Sequence, residues 1–245
     1  MYNVRDATRE ILQAKLEHRT RLFANTDRSV QALIEFESLI NETEANQPLE
    51  QSIHVCEFVG FVDQHRRTPG CMLHPNAPGN AGIDLRGLCH YGSLACKTFY
   101  CPACESMDPF TAQILIDLID DWHLYGLVIT DLDFVYSLCY LLQSAAEGRL
   151  DKVLTSSELP ALVFKEMLSW KNTWPFVQSS FFRRSRYHYK ESINRDDLQP
   201  DKAIYLFLDS IAYAFDEQGD RATAEAYVWQ TLDRFVCLQS TSASR

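Results

Sequence analysis

No run of 18 apolar residues occurs in this 245-residue sequence, so a helix that crosses a bilayer is not expected. The opening residues, M-Y-N-V-R-D-A-T-R-E-I-L-Q-A-K, alternate charged with apolar side chains and lack the uninterrupted apolar stretch of a secretory signal. Basic residues are in deficit. The 23 Lys and Arg against 33 Asp and Glu leave a net charge of −10, which argues against a bulk electrostatic grip on nucleic acid or on an anionic membrane. Phosphate-cradling and hydrolytic signatures are missing too. With no G-x-x-x-x-G-K-[ST], G-x-G-x-x-G, H-E-x-x-H or G-x-S-x-G, nucleotide-binding and hydrolytic readings have no foothold. Without a leader, the expected compartment is the reducing cytoplasm, where clustered cysteines bind metal more often than they form disulfides.

What the sequence does have is concentrated in one place. Six of the eight cysteines, six of the nine glycines and four of the nine prolines fall between Cys56 and Cys104. With His54 at its edge, the stretch also holds four of the seven histidines. The rest is ordinary globular composition, 46% hydrophobic and 23% charged, and long enough to bury a core.

The flanks read as helix. Ala7, Ile11, Leu12, Leu16 and Phe23 recur near helical spacing over residues 5–24, and Thr26 or Asp27 is placed to cap a second helix carrying Val30, Leu33, Ile34, Leu39 and Ile40. Inside the cysteine stretch, Phe58 to Val62 and Cys71 to Leu73 are expected to pair as a hairpin across the polar Gln64 to Arg67. Pro75 to Gly82, P-N-A-P-G-N-A-G, is a loop, either ordered or flexible, and Leu88 to Ala95 has the pattern of a short helix. Asp108-Pro109 starts a helix over 109–124, and Thr130-x-x-Asp133, a capping-box pattern, starts one over 131–147 that stops at Gly148. Helices from Ser157, over 200–217 and over 220–238 follow, the last two joined through Gln218-Gly219. The expected fold is mainly α: a helical bundle with an inserted cysteine-rich metal-binding module that contains a short β-hairpin. Its divisions are a helical pair at 1–50, the module at 51–107, and a helical region at 108–245 packing with the N-terminal helices.

Soft thiolates hold zinc tetrahedrally or anchor an iron–sulfur cluster, and both need ligands gathered from short, turn-rich chain. The spacing is C-x14-C-x17-C-x6-C-x4-C-x2-C. Cys101 and Cys104 form a knuckle-like C-x2-C with no second pair to match it, so a standard zinc ribbon is not indicated. The C-x4-C-x2-C at Cys96, Cys101 and Cys104 has plant-type ferredoxin spacing, but the downstream Cys139 lies in the apolar helical run L-C-Y-L-L and the β-rich text of those ferredoxins is absent. His74, three residues after Cys71, and His90, next to Cys89, stand where a histidine replaces a thiolate or supports one by hydrogen bonding.

The ordered set C-x-F-V-G-F-V-D, G-C-M-L-H-P, D-L-R followed by Y-G, and C-x4-C-P resembles an uncharacterised group of bacterial cysteine-motif proteins. More loosely, it is similar to the YkgJ-like zinc- or iron-binding proteins. The resemblance spans about 50 of the 245 residues. It implies a metal site at Cys56, Cys71, Cys96 and Cys101, with Cys89 and Cys104 as extras whose replacement by Ser leaves the metal in place. The adjacent C-C pair and the Arg-Pro of many YkgJ-like sequences are absent here, so their iron–sulfur chemistry is not carried over. Four thiolates on one ion make a closed, structural site. The expected cofactor is zinc, with a [4Fe-4S] cluster as the alternative. The expected function is metal binding in a protein that acts through a protein partner, against an iron–sulfur redox role.

Two further features are set aside. Asp117, Asp120, Asp121, Asp131 and Asp133 read as a solvated face plus helix caps rather than acid–base chemistry. Phe181 to Lys190 interleaves basic and aromatic residues as single-stranded nucleic acid binders do, but in so acidic a chain it is expected to pair with the protein's own acids. Cys139 and Cys237, on apolar helices, are expected to be small buried hydrophobes.

Overall fold

The computed structural model describes residues 3, 8–44, 54–98, 105–156, 158–176, 197–211 and 218–242. Ten α-helices and one two-stranded sheet lie among them, so the expected helical class holds. The chain divides into two compact units, Met1–Cys101 and Pro102–Arg245.

The first unit opens with α1 (Arg9–Ala24), capped by the Thr8 hydroxyl, and α2 (Val30–Thr43). The cap of α2 is Ser29, whose Oγ accepts from Ala32 N–H at 3.3 Å. Neither Thr26 nor Asp27 fills that place, because Asp27 Oδ1 is taken by the Ser29 N–H at 2.7 Å and Thr26 Oγ1 donates back to Leu22 O. Leu12, Leu16 and Phe23 of α1 and Leu33, Phe36 and Ile40 of α2 are buried, whereas Val30, Ile34 and Leu39 face outward. The cysteine stretch packs on this pair. Phe58 is fully buried, stacked on Phe36 at 5.3 Å and edge-on to Phe23 at 6.2 Å, with Met72 and Leu73 in the same core.

The hairpin forms as β1 (Val59–Phe61) and β2 (Pro69–Cys71), paired antiparallel with Val59 opposite Cys71. Asp63 holds its turn by accepting from the N–H groups of His65, Arg67 and Thr68 at 3.1, 2.9 and 2.6 Å. Gly60 is required where β1 crosses α1: a Cβ there would stand 2.5 Å from Met72 Sδ and 2.7 Å from Thr20 Oγ1. Thr20 Oγ1 in turn accepts from Phe61 N–H at 2.7 Å.

Pro75 to Gly82 is an ordered loop. The buried Asn80 amide donates to Met72 O and His74 O, both at 2.8 Å, and its Oδ1 accepts from Arg28 Nε at 2.8 Å. Arg28 also lies over the Phe23 ring at 4.0 Å and donates to Phe23 O. A 3₁₀ turn (Arg86–Leu88) and α3 (Gly92–Thr98) complete the unit.

The second unit comprises α4 (Pro109–Leu118), α5 (Trp122–Ile129), α6 (Leu132–Ala145), α7 (Leu150–Ser156), α8 (Glu158–Thr173), α9 (Pro200–Ile211) and α10 (Gln218–Ser242). Asp108 caps α4 with proline at its first turn, as the sequence predicts. The single helix expected over 109–124 is instead two, because Asp121 starts α5 by accepting from Leu124 N–H at 2.8 Å. Asp131, not Thr130, caps α6, through Phe134 N–H at 3.0 Å. Thr130 Oγ1 bonds back to Gly126 O at 2.7 Å. Gln218 and Gly219 begin α10 rather than joining two helices.

Asp131 is wholly buried, and so is Lys171, whose Nζ lies 2.5 Å from Asp131 Oδ2 and donates to Ser210 O at 3.0 Å. One ion pair thus fastens α6, α8 and α9 beside the stacked Phe134 and Phe207 rings. Removing either partner strands a charge in the core. Cys139 is half-buried on the wall of a cavity of about 440 Å³ shared with Tyr136 and Phe164. Cys237 is exposed, contrary to the sequence expectation, because it lies on the solvent side of α10, away from the buried Leu232 and Phe235. No single helix among the described residues is long and apolar enough to cross a membrane.

Candidate metal centre

Four cysteines of the first unit lie within electrostatic reach of one another, two of them in contact. Cys56 precedes β1, Cys71 ends β2, Cys89 follows the 3₁₀ turn and Cys96 lies in α3. All four are half-buried free thiols. Cys89 Sγ and Cys96 Sγ are 3.0 Å apart, and the Cys89 thiol donates to Arg86 O at 3.2 Å.

The Phe58 amide favours the thiolate of Cys56 and the Leu73 and His74 amides that of Cys71, while the His74 N–H is bonded to Cys71 O at 3.1 Å. Burial pushes the Cys56 thiol up to about 12, with the Cys89 and Cys71 sulfurs adding to the rise and the Phe58 amide opposing it. Cys96 is likewise pushed to about 12, by burial and then by its contact with Cys89, and Cys71 is raised by burial. Cys71 and Cys89 therefore interact with each other and with both remaining sulfurs. Crowding four thiols out of water favours their neutral form unless a cation compensates the thiolates.

Of the residues the sequence singles out, Cys89 and Cys96 are in contact, and Cys56 and Cys71 lie within electrostatic reach of Cys89. Cys101 and Cys104 lie outside the described residues, as does the Phe181 to Lys190 segment. Among the described residues, no three Cys, His, Asp or Glu side chains are already set at the spacing of a formed metal site. His74 Nδ1 accepts from Asn76 N–H at 3.2 Å, which gives it the place of a turn cap.

Several supporting side chains escape a reading of the sequence. Arg19 is buried, donates to both oxygens of Glu44, and sends Nη1 to Cys56 O at 2.9 Å. His54 contacts the buried Glu57 at 2.9 Å and stacks on His90 at 4.0 Å, and Tyr91 OH donates to His54 O at 2.9 Å. Nearby Glu37 is raised from the usual carboxylate range by burial and then by Glu57, against the pull of the two imidazoles. The residues at 84 and 86 carried a visible signal, the D-L-R motif, while Arg19 and Glu44 carried none. No protein-family model, curated protein or solved structure matches this chain.

Proposed function

We propose that the first unit is a metal-binding module in which Cys56, Cys71, Cys89 and Cys96 hold one structural zinc ion, and that the protein acts by interaction with a protein partner rather than by catalysis. The observation that carries this reading is the contact of Cys89 with Cys96, with Cys56 and Cys71 within electrostatic reach of Cys89 and backbone amides favouring the thiolates of both. Amides in that arrangement stabilise metal-bound thiolates. The separation of Cys89 and Cys96 favours a single ion over a cluster. Thiolates about 2.3 Å from one tetrahedral zinc stand about 3.8 Å apart, a small adjustment from 3.0 Å. In a [4Fe-4S] cluster each thiolate binds its own iron and the sulfurs must spread further.

Elemental analysis of protein purified under anaerobic conditions tests the proposal. One zinc per chain in a colourless protein is the expected result. A brown protein with iron and labile sulfide replaces zinc by the iron–sulfur alternative, and a metal-free, fully folded protein overturns the site altogether. Chelation is expected to lower the melting temperature of the zinc form, since binding energy at a structural site is folding energy.

A further inference from the structure

The D-L-R motif, Asp84-Leu85-Arg86, has no role in the ligand set, yet its charged ends lie against it. Asp84 accepts from Arg86 three times: from the backbone N–H at 3.1 Å, from Nε at 2.9 Å and from Nη2 at 2.8 Å. This bidentate fork closes over only two residues, so the guanidinium has little freedom. Lys97 Nζ reaches the same carboxylate at 3.0 Å from the far end of α3. The remaining nitrogen of Arg86, Nη1, points to Cys96 O at 3.4 Å, while the Arg86 carbonyl accepts the Cys89 thiol.

We infer that Asp84, Arg86 and Lys97 form a charge clamp for the cysteine cluster, in which Asp84 fixes the Arg86 guanidinium beside Cys96 so that its positive charge offsets that of the metal-bound thiolates. The inference rests on the zinc reading above.

The charge count explains why a clamp is needed. Four thiolates on a dication carry a net charge of −2, in a chain already at −10. The side chains of Arg86 and Asp84 are only 17% and 25% exposed, so solvent screens them incompletely. Asp84 and Lys97 nearly cancel each other, which leaves Arg86 as the net positive charge at the cluster. Arg86 is therefore a positioning residue that acts on the metal through the field and the fixed backbone of two ligands.

The test compares Arg86→Gln and Arg86→Lys with the wild type, loading each with zinc and competing it with a chromogenic chelator, then recording the spectrum with cobalt(II). Arg86→Gln is expected to weaken zinc binding about 10- to 100-fold, the range for partners just outside the ligand shell. Arg86→Lys, which keeps the charge but not the fork, is expected to recover most of that loss. The cobalt bands of a four-sulfur tetrahedral site should be unchanged in both, showing that no ligand has been lost. Equal weakening by Gln and Lys, or altered cobalt bands, marks a merely structural role and overturns the clamp, as does wild-type affinity in Arg86→Gln. If Arg86→Gln does not fold, Arg86→Lys decides alone: affinity within about threefold of wild type supports the clamp and a tenfold loss overturns it. A wild type that binds no zinc fails the proposed function itself, a result distinct from any of these.

Discussion

The Arg19 guanidinium and the Glu44 carboxylate meet as a two-pronged pair, Nε to Oε1 at 2.8 Å and Nη2 to Oε2 at 2.6 Å, and the third prong ends on the carbonyl of Cys56. One buried cation thereby ties α1 and the end of α2 to the first cysteine. Arg19→Ala leaves the buried Glu44 with only Lys15 Nζ, 3.8 Å away, and is expected to cost about 3 kcal/mol, the low end for a broken buried pair. Urea titration and hydrogen exchange at the amides of α1 and β1 check this. A loss under about 1 kcal/mol would show that water replaces the guanidinium readily.

The fourth ligand separates two readings of the cysteines. Cys89 stands in contact with Cys96, whereas the family resemblance points to Cys101. Cys89→Ser is expected to lose the metal and Cys101→Ser to retain one zinc per chain. The reverse outcome, read by metal analysis of both variants, returns the fourth place to Cys101.

Asn80 replaces a missing layer of secondary structure, satisfying Met72 O, His74 O and Arg28 with one side chain. Asn80→Ala is expected to destabilise by about 1–3 kcal/mol per buried polar group left unbonded. Faster proteolysis within residues 75–82 should accompany it. Wild-type resistance to protease would contradict the role given to this side chain.

Asp63 supplies a pH dependence whose sign is fixed by its hydrogen bonds. Slight burial works to raise its carboxyl, but the amides of Thr68, Arg67 and His65 outweigh this and hold it below the usual carboxylate range. Its contribution is therefore present above the unfolded value of about 3.9 and is lost as pH falls through the lower folded value. Asp63→Asn should be less stable than wild type at pH about 6, and the difference should shrink at pH about 3. A difference independent of pH, measured by urea midpoints, would rule out the charged form as the cap.

Most of the helical frame is legible in the sequence because its signals are local. Asp108-Pro109 marks the start of α4, Gly148 marks the end of α6, and the apolar positions of α1 repeat at the helical period. The hairpin is legible in place but not in register, since its second strand is Pro69–Cys71, two residues before the expected Cys71 to Leu73. Where the reading slipped, two local candidates competed for one place: Ser29 against Asp27, Asp131 against Thr130, and Asp121 inside an apparently continuous apolar pattern. The surroundings of the cysteines are less legible, since they are built from partners far apart in the chain. Arg19 finds Glu44 25 residues away, Arg28 finds Asn80 52 residues away, and no spacing rule links either pair. The grouping of Cys89 with Cys96 depends on the angle at which α3 leaves the 3₁₀ turn, which composition does not encode.

The aromatic trio Phe23, Phe36 and Phe58 draws two members from the helices and one from the cysteine stretch. The motif is therefore not a portable cassette. Cut out and grafted onto another scaffold, it would leave behind the floor on which its strands rest, along with the guanidinium that anchors Cys56. Lengthening or shortening α1 by one residue would rotate Arg19 and Phe23 out of register together, so insertions in this unit can accumulate only in its connecting segments. A search for further chains of this kind would do better to require the helix pair and the cysteines jointly than to look for the cysteines alone.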